Sequence, residues 1–395
     1  MKNKNNSILQ IVLLIGIAVL CAYSYHPRFF DLSSGSITNQ SIVRITELVI
    51  IFLALISIKK VYCDSTLKVY FWCMIFVLLF ITSFISVDLD ASFSAVLAIL
   101  LPLFGIIIGQ NLRIDKHSMI ICLRAYMMAS VLIGFSCIMR NLGAFVIVDQ
   151  YAVAGKNASG AMLGISGCIA LYSALQERKT LYKCLDISCL ILCLVEILTM
   201  RARLATLGLI LLICLILLRS NVKIKATHLI CIIISIVTIT LVAGGSIEQF
   251  VYDSFFQNKE RDLTSGRTDL NKAAFDVILK SPFLGNLRGD YIIDDTYQVH
   301  NFLLNTISHY GLFFSLPWVV IYIKIALTSL FSAFKYNVVS NGLSFLSNIL
   351  MLYLLWESLG EYTYPFGPGT ITFIPFLLWG WSSTHIDSHK STITH

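Results

Sequence analysis

Charge is what this chain has least of. Only 13% of its 395 residues are Asp, Glu, Lys or Arg, against about 25% in an ordinary soluble domain. Hydrophobic residues make up 57%, and the mean hydropathy is +0.80. An ordinary water-soluble fold is thereby excluded. Also missing are the alternating, turn-rich segments of about ten residues that mark an outer-membrane barrel. The eleven cysteines are scattered through apolar segments, without a C-x-x-C pair and with none between Arg261 and Gly311. They read as small hydrophobes and indicate neither a disulfide framework nor a zinc site. No internal repeat links the two halves of the chain, and no soluble output domain suggests a sensor.

What is present is a series of apolar runs of 17 to 22 residues, each able to cross a hydrocarbon core of about 30 Å as a helix. The expected fold class is an all-α polytopic membrane protein of about twelve transmembrane helices. These are placed at 8–24, 42–58, 67–86, 91–110, 118–139, 158–175, 184–200, 202–219, 227–245, 301–323, 339–357 and 367–383. The organisation is then nine helices over 1–245, one large loop with short helices over 246–300, and three helices with a short tail over 301–395. The first run follows Lys2 and Lys4 but lacks a small-residue cleavage site, so it is kept as a helix rather than a signal peptide.

With the N-terminus inside, every inside segment is basic: Lys2/Lys4, Lys59/Lys60/Lys68, Arg113/Lys116, Arg178/Lys179/Lys183, Arg219/Lys223/Lys225, Lys335 and Lys390. This is the asymmetry that the positive-inside rule asks for, and it accounts for the net charge of +7 without a nucleic-acid partner. Both termini are expected inside and the 246–300 loop outside. Arg201 and Arg203 are the exception, since they stand on the outer side in almost no loop. They are either a pair reaching to lipid phosphates or a cationic patch at the mouth of a site.

The loop is the longest polar stretch in the chain. Within it, "SGRTDLNKAAFDVILKSP" reads as an amphipathic helix that Ser265 or Thr268 can cap. Leu270, Ala274, Val277 and Ile278 share one of its faces, and Pro282 ends it. Asp290, Asp294 and Asp295 lack the regular ligand spacing of a calcium loop and read as a solvated segment, so no metal is assigned. His300 stands where the loop enters the tenth helix, followed by Asn301 and, within that helix, by His309–Tyr310–Gly311. On residue chemistry alone, His300 is either a hydrogen-bonded anchor or a catalytic group. Arg44 and Glu47, one helical turn apart, form either an ion pair or, through Arg44, a lipid-phosphate contact, and Arg124, Glu196 and Glu357 read as packing pairs.

Three patches resemble the O-antigen ligase and O-antigen polymerase family of bacterial envelope glycan transferases. "SGRTDLNKAAFDVILKSPFLG" is similar to the family's S-G-R, amphipathic helix and P-x-x-G. "HNFLLNTISHYG" is similar to its His, polar residue, nine residues, Gly pattern. "TMRARLATLG" is similar to its Ser-Arg at an outward helix start. Met200 replaces the usual Ser, which leaves Arg201 and Arg203 both open as the equivalent arginine. Phe314 replaces the residue ligases often show three positions after the Gly, which favours a polymerase relative to a ligase.

The resemblance implies a glycosyltransferase of the bacterial inner membrane, with both termini cytoplasmic and the large loop periplasmic. Its donor is a glycan on a polyprenyl diphosphate such as undecaprenyl diphosphate. Its acceptor is another glycan chain in O-antigen, capsule or exopolysaccharide polymerisation, or the lipid A core in lipopolysaccharide ligation. No cofactor and no metal are implied. Negative charge grows on the departing diphosphate, which suits guanidinium groups: Arg201, Arg203, Arg267 and Arg44 are the diphosphate candidates. His300 with Arg267 is the catalytic pair, His300 taking the acceptor's proton, and Lys156, Asn157 and Asn301 are further substrate contacts. Direct attack by the hydroxyl would invert the anomeric centre. The alternative is a lipid-linked glycan transporter or flippase, which twelve helices and intramembrane charges also suit but which the lack of repeated halves disfavours.

Overall fold

The computed structural model describes residues 2–26, 101–142, 156–220, 267–285, 299–367 and 369–391, with positions 45, 49, 52, 53, 56, 69 and 72–77. Among the described residues there is no strand. The helices are α1 Lys2–Tyr23, α2 Lys116–Leu142, α3 Lys156–Gln176, α4 Thr180–Thr199, α5 Arg203–Leu218, α6 Arg267–Lys280, α7 Phe302–Lys335, α8 Val338–Glu357 and α9 Gly369–Ser391. A further helical stretch runs from Leu101 to Asn111. Among the described residues, three helices are long and apolar enough to cross a membrane: Lys116–Arg140, Lys156–Gln176 and Phe302–Lys335. The described residues are all-helical apart from turns, and their apolar helices suit a lipid bilayer. The spans expected at 42–58, 67–86 and 227–245 lie outside the described residues apart from scattered helical positions, as do Arg44, Glu47 and the Asp290–Asp295 cluster.

Helix α3 is the axis around which five other helices pack. It touches α2, α4, α5, α8 and α9, and every residue from Ser159 to Ala174 is buried. Small residues make this possible, because lipid tails are as apolar as leucine and close approach is what rewards helix association. A Cβ at Gly160 would lie 2.6 Å from that of Ala202, and one at Gly167 would lie 2.9 Å from Leu209 Cδ1. At Gly164 it would overlap the Tyr353 hydroxyl. Gly208 on α5 makes the same allowance for the Trp356 ring, whose Nε1–H donates to the Leu204 carbonyl at 2.8 Å.

The tenth span, expected at 301–323, is instead a 34-residue helical run broken at Gly311, where φ is 67° and ψ is 171°. The break frees N–H groups at the start of the second segment. Those of Leu312 and Phe313 donate to the carbonyls of Pro282 and Phe283 at 2.9 and 3.2 Å, so the turn after α6 is docked into the gap. The turn's own Gly285 is left-handed as well, with φ 60°. A Cβ there would run into Gly311 N, and one at Gly311 would run into the Phe283 carbonyl. Two of the three sequence patches therefore meet through their glycines. Gly311→Ala combines the strain of a backbone region open almost only to glycine, about 1–3 kcal/mol, with eviction of the turn. It is expected to lower Tm and to speed proteolysis between residues 267 and 299.

The loops gather at two ends. At one end, Gln176 Nε2 donates to the Val338 carbonyl at 2.6 Å and Arg219 Nε to the Tyr336 carbonyl at 3.2 Å. There too, Arg124 bridges Glu177 at 2.9 Å and Asp186 at 2.5 Å, which gives the Arg124 packing pair its partners. At the other end, Cys137 Sγ donates to the Tyr25 carbonyl, Ala202 packs on Gly160, Trp356 holds Leu204, and Phe302 N donates to the Ser358 carbonyl at 3.0 Å. Among the described residues, these helix ends share one end of the bundle.

Candidate functional site

The second end holds the candidate site. Asn301 caps α7: its side-chain oxygen accepts from Leu304 N at 3.0 Å, and its Nδ2 lies 3.4 Å from the Leu359 carbonyl. A cap of this kind is worth about 1 kcal/mol, so Asn301 is a structural residue that fixes where the chain enters α7. Phe302, next along, stacks on Tyr322 at 5.7 Å, and the Tyr322 hydroxyl bonds Ser358 Oγ at 2.8 Å. These contacts tie the start of α7 to the segment leaving α8, and so place His300 against Glu361 and Tyr362.

Glu361 divides its carboxylate between two of the sequence candidates. Its Oε1 accepts from Asn157 Nδ2 at 2.6 Å, while its Oε2 lies 3.6 Å from His300 Nδ1. The first contact is a hydrogen bond and the second is an electrostatic approach beyond hydrogen-bond range. The His300 side chain is 31% exposed and that of Glu361 14%, so the pair is reachable from outside yet partly desolvated. The Tyr362 ring stands edge-on to the imidazole at 6.5 Å. With Nδ1 turned to the carboxylate, Nε2 is the nitrogen left for an acceptor.

Helix starts add positive potential here. α3 begins at Lys156 and α5 at Arg203; neither has an acidic residue in its first turn, and α5 has no side-chain cap. The unsatisfied N–H groups of a helix start carry partial positive charge, and a cation at that position reinforces it, so these ends favour an anion. Arg201 lies in the three-residue turn between α4 and α5. It is buried at 7% exposure and held at φ 54°, the one non-glycine residue with positive φ among the described residues. A left-handed arginine costs about 1–3 kcal/mol and marks a position that the surrounding structure over-determines.

The structure thus brings His300, Asn157 and Asn301 together, and sets Lys156, Arg201 and Arg203 on helix ends of the same face of the bundle. Arg267 is the first residue of α6; its side chain and Arg44 lie outside the description. Glu361 was missed by sequence reasoning. Its signal was that it is the sole charge in "GEYTYPFGPG", a loop with no evident need for one. Among the described residues no group of three His, Cys, Asp or Glu side chains is placed to hold a metal ion.

No family model matches the chain, and no curated protein matches it.

Proposed function

We propose that this protein is a glycosyltransferase that moves a glycan from a polyprenyl diphosphate to an acceptor hydroxyl at the outer face of the bacterial inner membrane. The observation that carries the reading is the contact of His300 with a Glu361 carboxylate pinned by Asn157, at the end of the bundle where Lys156, Arg201 and Arg203 stand on helix termini. In this reading His300 Nε2 takes the acceptor's proton as the hydroxyl oxygen attacks the anomeric carbon. The C1–O bond to diphosphate breaks, and the charge that gathers on the diphosphate is met by the arginines and helix N–H groups. Glu361 stands beside the Nδ1 side of the ring. The twelve-helix plan, cytoplasmic termini and periplasmic 246–300 loop belong to the same proposal, with either a glycan chain or the lipid A core as acceptor.

Two experiments test it. Glu361→Gln keeps the Asn157 contact through its amide oxygen but removes the charge facing His300. Turnover is expected to fall by about 10-fold to 10²-fold, within the range for losing part of an acid–base device, with donor KM nearly unchanged. An unaltered kcat would detach Glu361 from the chemistry. For the topology, a cysteine introduced as Asp276→Cys, with accessible native cysteines replaced, is expected to react with an impermeant thiol reagent in intact spheroplasts. Lys223→Cys is expected to react only after lysis. The reverse pattern would put the site on the wrong face for a polyprenyl-linked donor presented outside.

A further inference from the structure

Helix α6 has three faces rather than two. Leu270 and Ala274 are buried and Val277 and Ile278 half-buried where the helix packs on α7. Asp269, Lys272, Asp276 and Lys280 are all exposed, the last three at four-residue spacing, which makes one charged stripe along the helix. The third face is apolar and open. Phe275 and Leu279, also four apart, are 55% and 69% exposed. The turn that follows extends this surface, with Phe283 69% and Leu284 52% exposed.

What covers that surface follows from its continuity with α7. The bond from Phe313 N to the Phe283 carbonyl at 3.2 Å sets Phe283 beside Phe313, itself 70% exposed. From there Leu316, Ile323, Leu327, Leu330 and Phe334 form one exposed apolar row down a helix long enough to cross a membrane. In a bilayer such a row faces acyl chains. The turn that carries Phe283 thus brings the third face of α6 to the upper end of that row. A charged stripe beside an apolar one on a short helix is the pattern of a segment lying in the membrane interface, and an exposed apolar patch of this extent requires a non-aqueous neighbour.

We propose that α6 and the turn to Gly285 form an interfacial anchor seated in the acyl chains of the leaflet at the His300 end. Phe275, Leu279, Phe283 and Leu284 enter lipid, and the Asp269–Lys280 stripe faces water. The docking at Gly311 then joins this anchor to α7, so the segment that begins at Arg267 is held at the membrane surface rather than above it. The inference needs no catalytic activity and stands apart from the proposed reaction.

The test uses the full-length protein in nanodiscs of phosphatidylethanolamine and phosphatidylglycerol, with accessible native cysteines replaced by serine. Nitroxide labels are attached after Asp276→Cys, Leu279→Cys, Phe283→Cys and, as a lipid-facing reference, Leu327→Cys. Collisions with oxygen, which partitions into acyl chains, are compared with collisions with a water-soluble nickel chelate. The labels at 279 and 283 are expected to favour oxygen several-fold over the label at 276, and to match the label at 327. Labels at 279 and 283 that follow the aqueous pattern of 276 would overturn the anchor. So would protection from both reagents, which would show that protein, from this chain or a second copy, covers the face.

Discussion

Replacing His300 by alanine is expected to cut turnover by about 10² to 10⁴-fold, the range for removing a positioned general base, while the protein still folds and still binds donor. The expectation rests on geometry: the imidazole precedes the Asn301 cap, meets Glu361 Oε2 at 3.6 Å through Nδ1, and is 31% exposed. Binding persists because the anion-attracting groups lie elsewhere, on the starts of α3 and α5. A histidine that merely orients the sugar gives another pattern, in which His300→Gln retains substantial turnover. His309→Ala is the internal control. Its Nδ1 lies 2.8 Å from the Asn305 carbonyl within α7, so its loss is expected to leave turnover near that of wild type.

The second large effect is expected at Arg201. Arg201→Gly relieves a left-handed backbone, since glycine adopts φ 54° without the side-chain penalty. Folded protein is therefore expected to accumulate, while turnover falls by about 10² to 10³, the loss for one electrostatic donor at a developing anion. Arg201→Lys keeps the charge but not the planar fork and is expected to recover only part of that loss. A structural arginine predicts the opposite split: Arg201→Gly would lower the amount of folded protein, and the protein that does fold would turn over normally. Arg203→Ala, at the half-exposed first residue of α5, is the comparison that decides which of the two arginines serves the site.

The helices legible in the sequence were those whose apolar runs are uninterrupted and bounded by charge. The 118–139, 158–175 and 184–200 expectations fall within α2, α3 and α4 to within a few residues. The amphipathic helix of the polar loop was legible for the same reason, because Leu270 and Ala274 share a face that α7 buries. The break in α7 was not. A glycine inside an apolar run is common in membrane helices, and only the docking of Pro282–Gly285 against Gly311 distinguishes this one. His300 was legible as a polar residue at a loop–helix junction. Glu361 was not, because its hydrogen-bond partner, Asn157, is 204 positions away in the chain and no local pattern links them. The role of Asn301 was likewise hidden, since a cap and a substrate contact call for the same residue type and only the bond to Leu304 N separates them.

The most direct measurement is glycan transfer by the purified protein in vesicles, supplied with polyprenyl-diphosphate-linked oligosaccharide and an acceptor glycan, without nucleotide or ion gradient. Wild type is expected to release polyprenyl diphosphate and elongate the acceptor, and His300→Ala to do so at least about 10²-fold more slowly. Movement of intact donor across the bilayer with no diphosphate released, equal in wild type and His300→Ala, would contradict the account and leave a lipid-linked glycan transporter in its place.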